Sequence, residues 1–126
     1  MNVPDDLRYT SDHEWAKLEG KKVTVGVTDF AQDSLGDVVF VQLPELNSPV
    51  KAGQACGEVE STKSVSDIYA PVDGIVVEVN TQLNDNPERL NDDPYGKGWI
   101  CVIELDDISE YENLLSPDAY RESISE

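Results

Sequence analysis

Lys63 is the residue whose setting best suits covalent chemistry. It lies between two stretches that read as strands, with small polar side chains on both sides: Ser61 and Thr62 before it, Ser64 and Ser66 after it. A lysine at the bend of a β-hairpin keeps its amine solvated and mobile, while cross-strand hydrogen bonds hold the backbone beneath it. An enzyme that modifies an ε-amine needs both properties: access to the nitrogen and a rigid base at a defined place. Glu60 and Asp67 flank the bend and would give it an acidic collar. Downstream, Pro71 to Gly74 reads as a second tight turn against which the hairpin can pack. Turn chemistry alone does not separate such a lysine from an ordinary solvated one.

Other chemistries find little support. The two cysteines, Cys56 in QACGEV and Cys101 in WICVIEL, form no CxxC pair, and His13 is the single histidine available to join them. They read as small buried thiols in reduced form, not zinc ligands, which fits a reducing compartment. His13, in HEW, reads as structural, bonding backbone near Trp15. There is no Ser-His-Asp arrangement, P-loop or GxGxxG, so the chain is not expected to be an enzyme. Nine Lys plus Arg face 26 Asp plus Glu, a formal net charge of −17. Such a surface repels nucleic acid and anionic membranes and suits basic protein partners, although it equally serves solubility. No apolar run approaches the roughly 18 residues that cross a bilayer. The start, MNVPDDLRYT, lacks a charged-then-apolar signal and is acidic. These features lead us to expect a cytoplasmic monomer, or a matrix protein if the chain is a processed mitochondrial form.

The elements that must position Lys63 read mostly as strands. Segments 13–17 and 22–27 form a hairpin around Glu19-Gly20, and Thr28 or Asp29 caps a short helix that Gly36 ends. The run DVVFVQL at 37–43 reads as a buried strand, followed by turns at Pro44 and 47–49. Further strands are expected within 50–61, at 66–70, at 75–79 and at 99–105. Residues 80–98, rich in Asn, Asp, Pro and Gly, read as a long surface loop with one helical turn near Pro87–Leu90. In the tail, Ser109 with Glu112 reads as a capping box and Ser116-Pro117 as a second helix start. Ile108, Tyr111, Leu114 and Leu115 fall at helical spacing and would dock on the sheet. Trp99 reads as core, Tyr95 is undecided, and Gly53, Gly57 and Gly74 read as turn positions needing positive φ. At 126 residues with 39% apolar content, one domain over 1–126 is expected, with the attachment region at 57–79 and the helical tail at 106–126.

Four blocks, in order, resemble the glycine cleavage H proteins, a family within the lipoyl and biotinyl carrier superfamily. They are SDHEW at 11–15, VTVGVTDFAQDSLGDVVFVQLPELN at 23–47, GEVESTKSVSDIYAPVDGIVVEVN at 57–80 and NDDPYGKGWI at 91–100. The resemblance implies a mostly β fold, a barrel-sandwich hybrid of two small antiparallel sheets with short helices and a C-terminal helical tail. It implies carriage rather than catalysis, with lipoate amide-linked to Lys63. In the family, a pyridoxal-phosphate glycine decarboxylase loads an aminomethyl group onto the lipoyl arm. A tetrahydrofolate-dependent aminomethyltransferase takes the one-carbon unit, dihydrolipoamide dehydrogenase reoxidises the dithiol, and a lipoate-attaching enzyme installs the arm.

A carbon bonded to both sulfur and an amine loses its amine to water easily, so the loaded arm should be sheltered beside groups that accept from an ammonium. The resemblance places Glu14 and Asp67 in such a cleft. Some members carry a His where this chain has Ser34, which can exchange hydrogen bonds but carries no charge. Biotin is disfavoured because biotinyl domains have methionines where Thr62 and Ser64 stand. The lipoyl domains of 2-oxo acid dehydrogenase acyltransferases usually continue into a flexible linker, whereas a helical tail is expected here. A lipoyl relay donating its group to other carriers, or an interaction module with an unmodified Lys63, are the alternatives.

Overall fold

β-Branched residues dominate the apolar stretches, and they enter the fold as strands. The computed structural model describes residues 1–125. In chain order the elements are β1 (Arg8–Tyr9), β2 (Glu14–Glu19), β3 (Lys22–Val27), α1 (Asp29–Leu35), β4 (Val38–Gln42), β5 (Pro49–Val50), β6 (Ala55–Ser61), β7 (Val65–Tyr69) and β8 (Gly74–Val79). Then follow α2 (Gln82–Asp85), α3 (Arg89–Asp92), β9 (Cys101–Leu105), α4 (Ser109–Glu112) and α5 (Pro117–Ile124). All pairings are antiparallel. One sheet runs β1-β2-β3-β9-β8-β5 and the other β4-β6-β7, neither closing into a barrel. The mostly β, two-sheet architecture is the expected one, with six strands in one sheet and three in the other.

The core lies between the sheets. Val23, Val25, Val76 and Ile103 from the larger sheet are fully buried, and Val41, Val59 and Ile68 of the smaller sheet join the same cluster. A satellite cluster gathers Val3, Leu7, Tyr9, Trp15 and Tyr120, with Tyr9 and Tyr120 stacked at 4.6 Å. Thr28 caps α1 by accepting from the Ala31 N–H at 3.2 Å, and Ser116 caps α5 by accepting from Ala119 N–H at 3.1 Å. The tail is fastened to the front of the chain by a two-way bridge: Tyr9 N–H donates to Leu115 at 2.9 Å and Leu115 N–H to Tyr9 at 2.8 Å.

Several expectations need correcting. The 37–43 strand is not buried throughout, because Val39 and Phe40 are half-exposed. Residues 80–98 are not irregular: α2 and α3 each anchor a buried leucine, Leu83 and Leu90. The Asn80 side chain closes this stretch by donating to the carbonyls of Lys97 at 2.9 Å and Trp99 at 2.7 Å. Trp99 stands before β9, half-buried against the satellite cluster. Ser109 does not cap α4: it is already the first helical residue, and Asp107, two places earlier, accepts from its N–H at 2.9 Å. Tyr111, Leu114 and Leu115 dock as expected, whereas Ile108 stays exposed. Gly53 takes positive φ, but Gly57 and Gly74 do not. Those two are needed for close passage, since a Cβ on Gly57 would sit 2.7 Å from the Gln42 carbonyl and one on Gly74 would strike the Glu104 carbonyl.

Candidate functional site

The β6–β7 hairpin ends in a tip locked by its own main chain. Glu60 pairs with Val65 across the ladder, and the Ser61 N–H donates to the Ser64 carbonyl at 2.8 Å. The buried Ser61 hydroxyl oxygen accepts from the N–H groups of Lys63 at 3.2 Å and Ser64 at 3.1 Å. These are local bonds between a serine and the turn that follows it, which is why small polar residues bracket the lysine. The Thr62 N–H reaches the Asp37 carbonyl at 3.0 Å, tying the tip to the entrance of β4. Above this base the Lys63 side chain is exposed, and its amine forms no ion pair among the described residues.

A second layer holds the entrance of β4. Asn91, on α3, donates to the Gly36 carbonyl at 2.8 Å and to Gln32 Oε1 at 3.1 Å, and its Oδ1 accepts from the Val38 N–H at 2.9 Å. Asn91 thus brackets Asp37, the residue that holds Thr62. Gly36 ends α1 with φ 77° and ψ −153° and donates back to the Gln32 carbonyl at 3.0 Å. A Cβ there would come within 3.3 Å of Lys63 Cε, so the lysine stem lies along a surface kept bare by glycine.

Beside the hairpin is a cavity of about 300 Å³, bounded by β7, α1 and the turn into β2. Glu14, Ser34 and Asp67, the residues proposed from sequence for a resting cleft, all line it. Glu14 is not a solvent-facing strand residue, being 2% exposed. Its Oε1 accepts from the Thr10 hydroxyl at 2.6 Å and its Oε2 from the Tyr69 N–H at 3.2 Å. Burial pushes its carboxyl up to about 7 against those two donors, and the nearby Asp12 charge adds to the rise. Asp67 and Ser34 are exposed, on β7 and α1 respectively.

His13 also lines the cavity, with φ 70°. It does not bond backbone near Trp15: its Nδ1 lies 2.9 Å from the Tyr120 hydroxyl, which lies 2.7 Å from Thr28 Oγ1. Burial lowers the His13 pKa. The Trp15 indole instead donates to the Pro94 carbonyl at 2.9 Å. Tyr95, undecided from sequence, links segments through its hydroxyl, accepting from Asp29 N–H at 3.0 Å and donating to the Asn2 carbonyl at 2.6 Å. Both cysteines are free thiols, and burial pushes Cys56 up to about 11 and Cys101 higher still. The sequence reading missed Thr10, Asn91 and Tyr120. Thr10 stands four residues before Glu14, a spacing that suits a turn contact, whereas Asn91 and Tyr120 leave no local signal.

Comparison with known proteins agrees with this geometry. The family model described as Glycine cleavage H-protein matches residues 7–126. The glycine cleavage system H protein of Halalkalibacterium halodurans is 55% identical over 99% of this chain and 98% of its own length. The probable glycine cleavage system H protein of Haloarcula marismortui is 57% identical over 98% of each. The crystal structure of a glycine cleavage system H protein from Mycobacterium marinum superimposes with a TM-score of 0.90 at 44% identity, covering 98% of this chain and 100% of that one. With a locked lysine hairpin, a two-sheet fold and this similarity along its length, the chain belongs to the glycine cleavage H-protein family.

Proposed function

We propose that the chain is a lipoyl carrier in glycine cleavage, with the lipoyl group held in amide linkage to Lys63. The observation that carries this reading is the tip itself: an exposed amine on a backbone fixed by Ser61, Ser64 and Asp37, beside a cavity with a buried carboxyl. When bound, a lipoyl group supplies a disulfide that takes an aminomethyl group on one sulfur and is left as a dithiol after that group is passed on.

The chain's own residues do the rest. Ser61 and Thr62 keep the attachment point still, so that motion is confined to the side chain and what it bears. Glu14, near 7, offers an acceptor on the cavity floor that is partly ionised at neutrality. An entering ammonium favours the ionised form, so the carboxyl releases its proton as the charge arrives. Asp67 adds a carboxylate at the rim, and Ser34 a hydroxyl that donates or accepts without charge. The cavity is open at its Ser34 and Asp67 rim, and its inner walls reduce the water that reaches a group prone to hydrolysis.

The partners in this reading are a pyridoxal-phosphate glycine decarboxylase, a tetrahydrofolate-dependent aminomethyltransferase, dihydrolipoamide dehydrogenase and the lipoate-attaching enzyme. The chain presents a substrate to each of them and is not itself a catalyst. Intact mass and peptide mapping after expression with lipoate, beside a Lys63→Arg control, test the reading. One lipoyl adduct on the peptide containing Lys63, lost in the control, is expected. An adduct that persists in the control moves the site, and its absence from the wild type in the presence of a competent ligase ends the reading.

A further inference from the structure

The smaller sheet has an outer face that its register makes unusual. Val38 pairs with Ser61 and Phe40 with Glu60, so Val39 is an extra residue in β4, a β-bulge. Regular alternation would turn Phe40 inward with Val38. With the bulge, Val38 and Val41 point into the core at 4% and 1% exposure, while Val39 and Phe40 both face solvent at 50% and 51%. On β7, Val65 is 58% exposed. Phe40, Glu60 and Val65 lie in one row across the three strands. Residues directly opposite in such a ladder share a face, and two strand spacings separate Phe40 from Val65 by about 10 Å. Val65 is two residues from Lys63 and pairs with Glu60, so this apolar row crosses the sheet at the tip end of the hairpin.

We infer that this bulged face, Val39, Phe40 and Val65 around Glu60, is the docking surface for the lipoate-attaching enzyme, an inference that rests on the carrier reading. Reach selects that partner. Enzymes that act at the far end of an arm can sit a whole arm away from the hairpin. The attaching enzyme must bring an activated acyl carbon to the lysine nitrogen itself, so an interface of ordinary size, about 800 Å² on this side and about 15 Å in radius, closes over the tip and the adjoining row of Phe40, Glu60 and Val65. In that step the neutral amine attacks the carbonyl carbon of a lipoyl acyl phosphate or thioester. The C–N bond forms, the acyl–oxygen or acyl–sulfur bond breaks with its electron pair on the leaving group, and the amine proton passes to a base.

Charge fits as well. Glu60 in the middle of the row and Asp37 at the start of β4 give the apolar face an acidic setting on a chain of net charge −17. The complementary partner has an apolar socket with a basic rim, which also suits an enzyme that handles an acyl phosphate. The bulge explains why a phenylalanine that alternation would bury is turned outward.

The test uses the full chain without its lipoyl group, a purified lipoate–protein ligase, lipoate and ATP, with initial rates read by intact mass. Phe40→Gln and Val65→Thr are each expected to raise KM at least about tenfold, the loss typical of a central interface side chain, with kcat within about twofold. Ile108→Thr, exposed between β9 and α4 and outside the smaller sheet, should leave both unchanged. Melting curves check folding, and Val65→Thr, on an edge strand, carries the test if Phe40→Gln fails to fold. Wild-type kcat/KM in the Val65 variant, or in a folded Phe40 variant, overturns the inference. So does sedimentation showing a wild-type dimer that Phe40→Gln dissolves, or normal lipoylation with lost turnover against the other partners. An adduct on the wild type with unaffected variants removes this docking surface alone, whereas no adduct on the wild type removes the carrier reading with it.

Discussion

Glu14→Gln should stabilise the protein, and only above a certain pH. The carboxyl rises from an ordinary 4.5 to about 7 in the folded chain because burial outweighs its two hydrogen bonds. Between those values the folded state holds a proton that the unfolded state has lost. The native protein therefore loses stability as pH rises through that window, and the loss is complete above about 7. Two and a half pKa units at 1.36 kcal/mol each give a penalty of about 3 kcal/mol. Glutamine keeps the shape, can accept from the Tyr69 N–H and can donate to Thr10 Oγ1, and it never ionises. Urea unfolding of both proteins at pH 4, 6 and 8 should show near-equal stabilities at pH 4. The variant should lead by about 3 kcal/mol at pH 8. Every other titrating group, His13 included, is common to both and cancels in the difference. A gap that stays flat with pH would refute the assignment of a raised carboxyl to position 14. A gap that widened toward acid would mean that the carboxylate is stabilised by its donors more than it is penalised by burial.

Asn91→Ala removes the side chain that brackets Asp37; it should cost about 2 kcal/mol and quicken hydrogen exchange at the Thr62 amide, read by NMR. Gly36→Ala places a Cβ in a backbone region open almost only to glycine; a loss of about 1–3 kcal/mol, seen as a lower melting temperature, is expected. Tyr120→Phe deletes the hydroxyl between His13 and Thr28 and should cost about 1–2 kcal/mol in urea unfolding while leaving the Tyr9 stacking in place.

What could be read from sequence was local. The tip around Lys63 was legible because its geometry is made by neighbours: Ser61 bonds residues two and three places on. The Thr28 cap and the Ser116-Pro117 helix start follow the same rule. Glu14 was marked through family resemblance, but its burial was not foreseen, since its Tyr69 partner is 55 residues away. The outward turn of Phe40 was hidden because DVVFVQL is apolar on both faces, leaving no alternation from which a bulge could be detected. Gly57 and Gly74 were read as turn glycines, whereas crossing strands, invisible in a linear string, demand them. His13 was assigned a backbone partner nearby because its true one, Tyr120, comes 107 residues later.

That last separation has a consequence for synthesis. A nascent chain that has emerged as far as β7 already contains every residue of the lysine tip except Asn91's support. The residues lining the cavity beside it have emerged as well, but His13 still lacks Tyr120, whose hydroxyl bridges it to the Thr28 that caps α1. The attachment point can therefore take shape on the ribosome well before the His13 side of its neighbouring cavity is fastened, a step that needs nearly the whole chain.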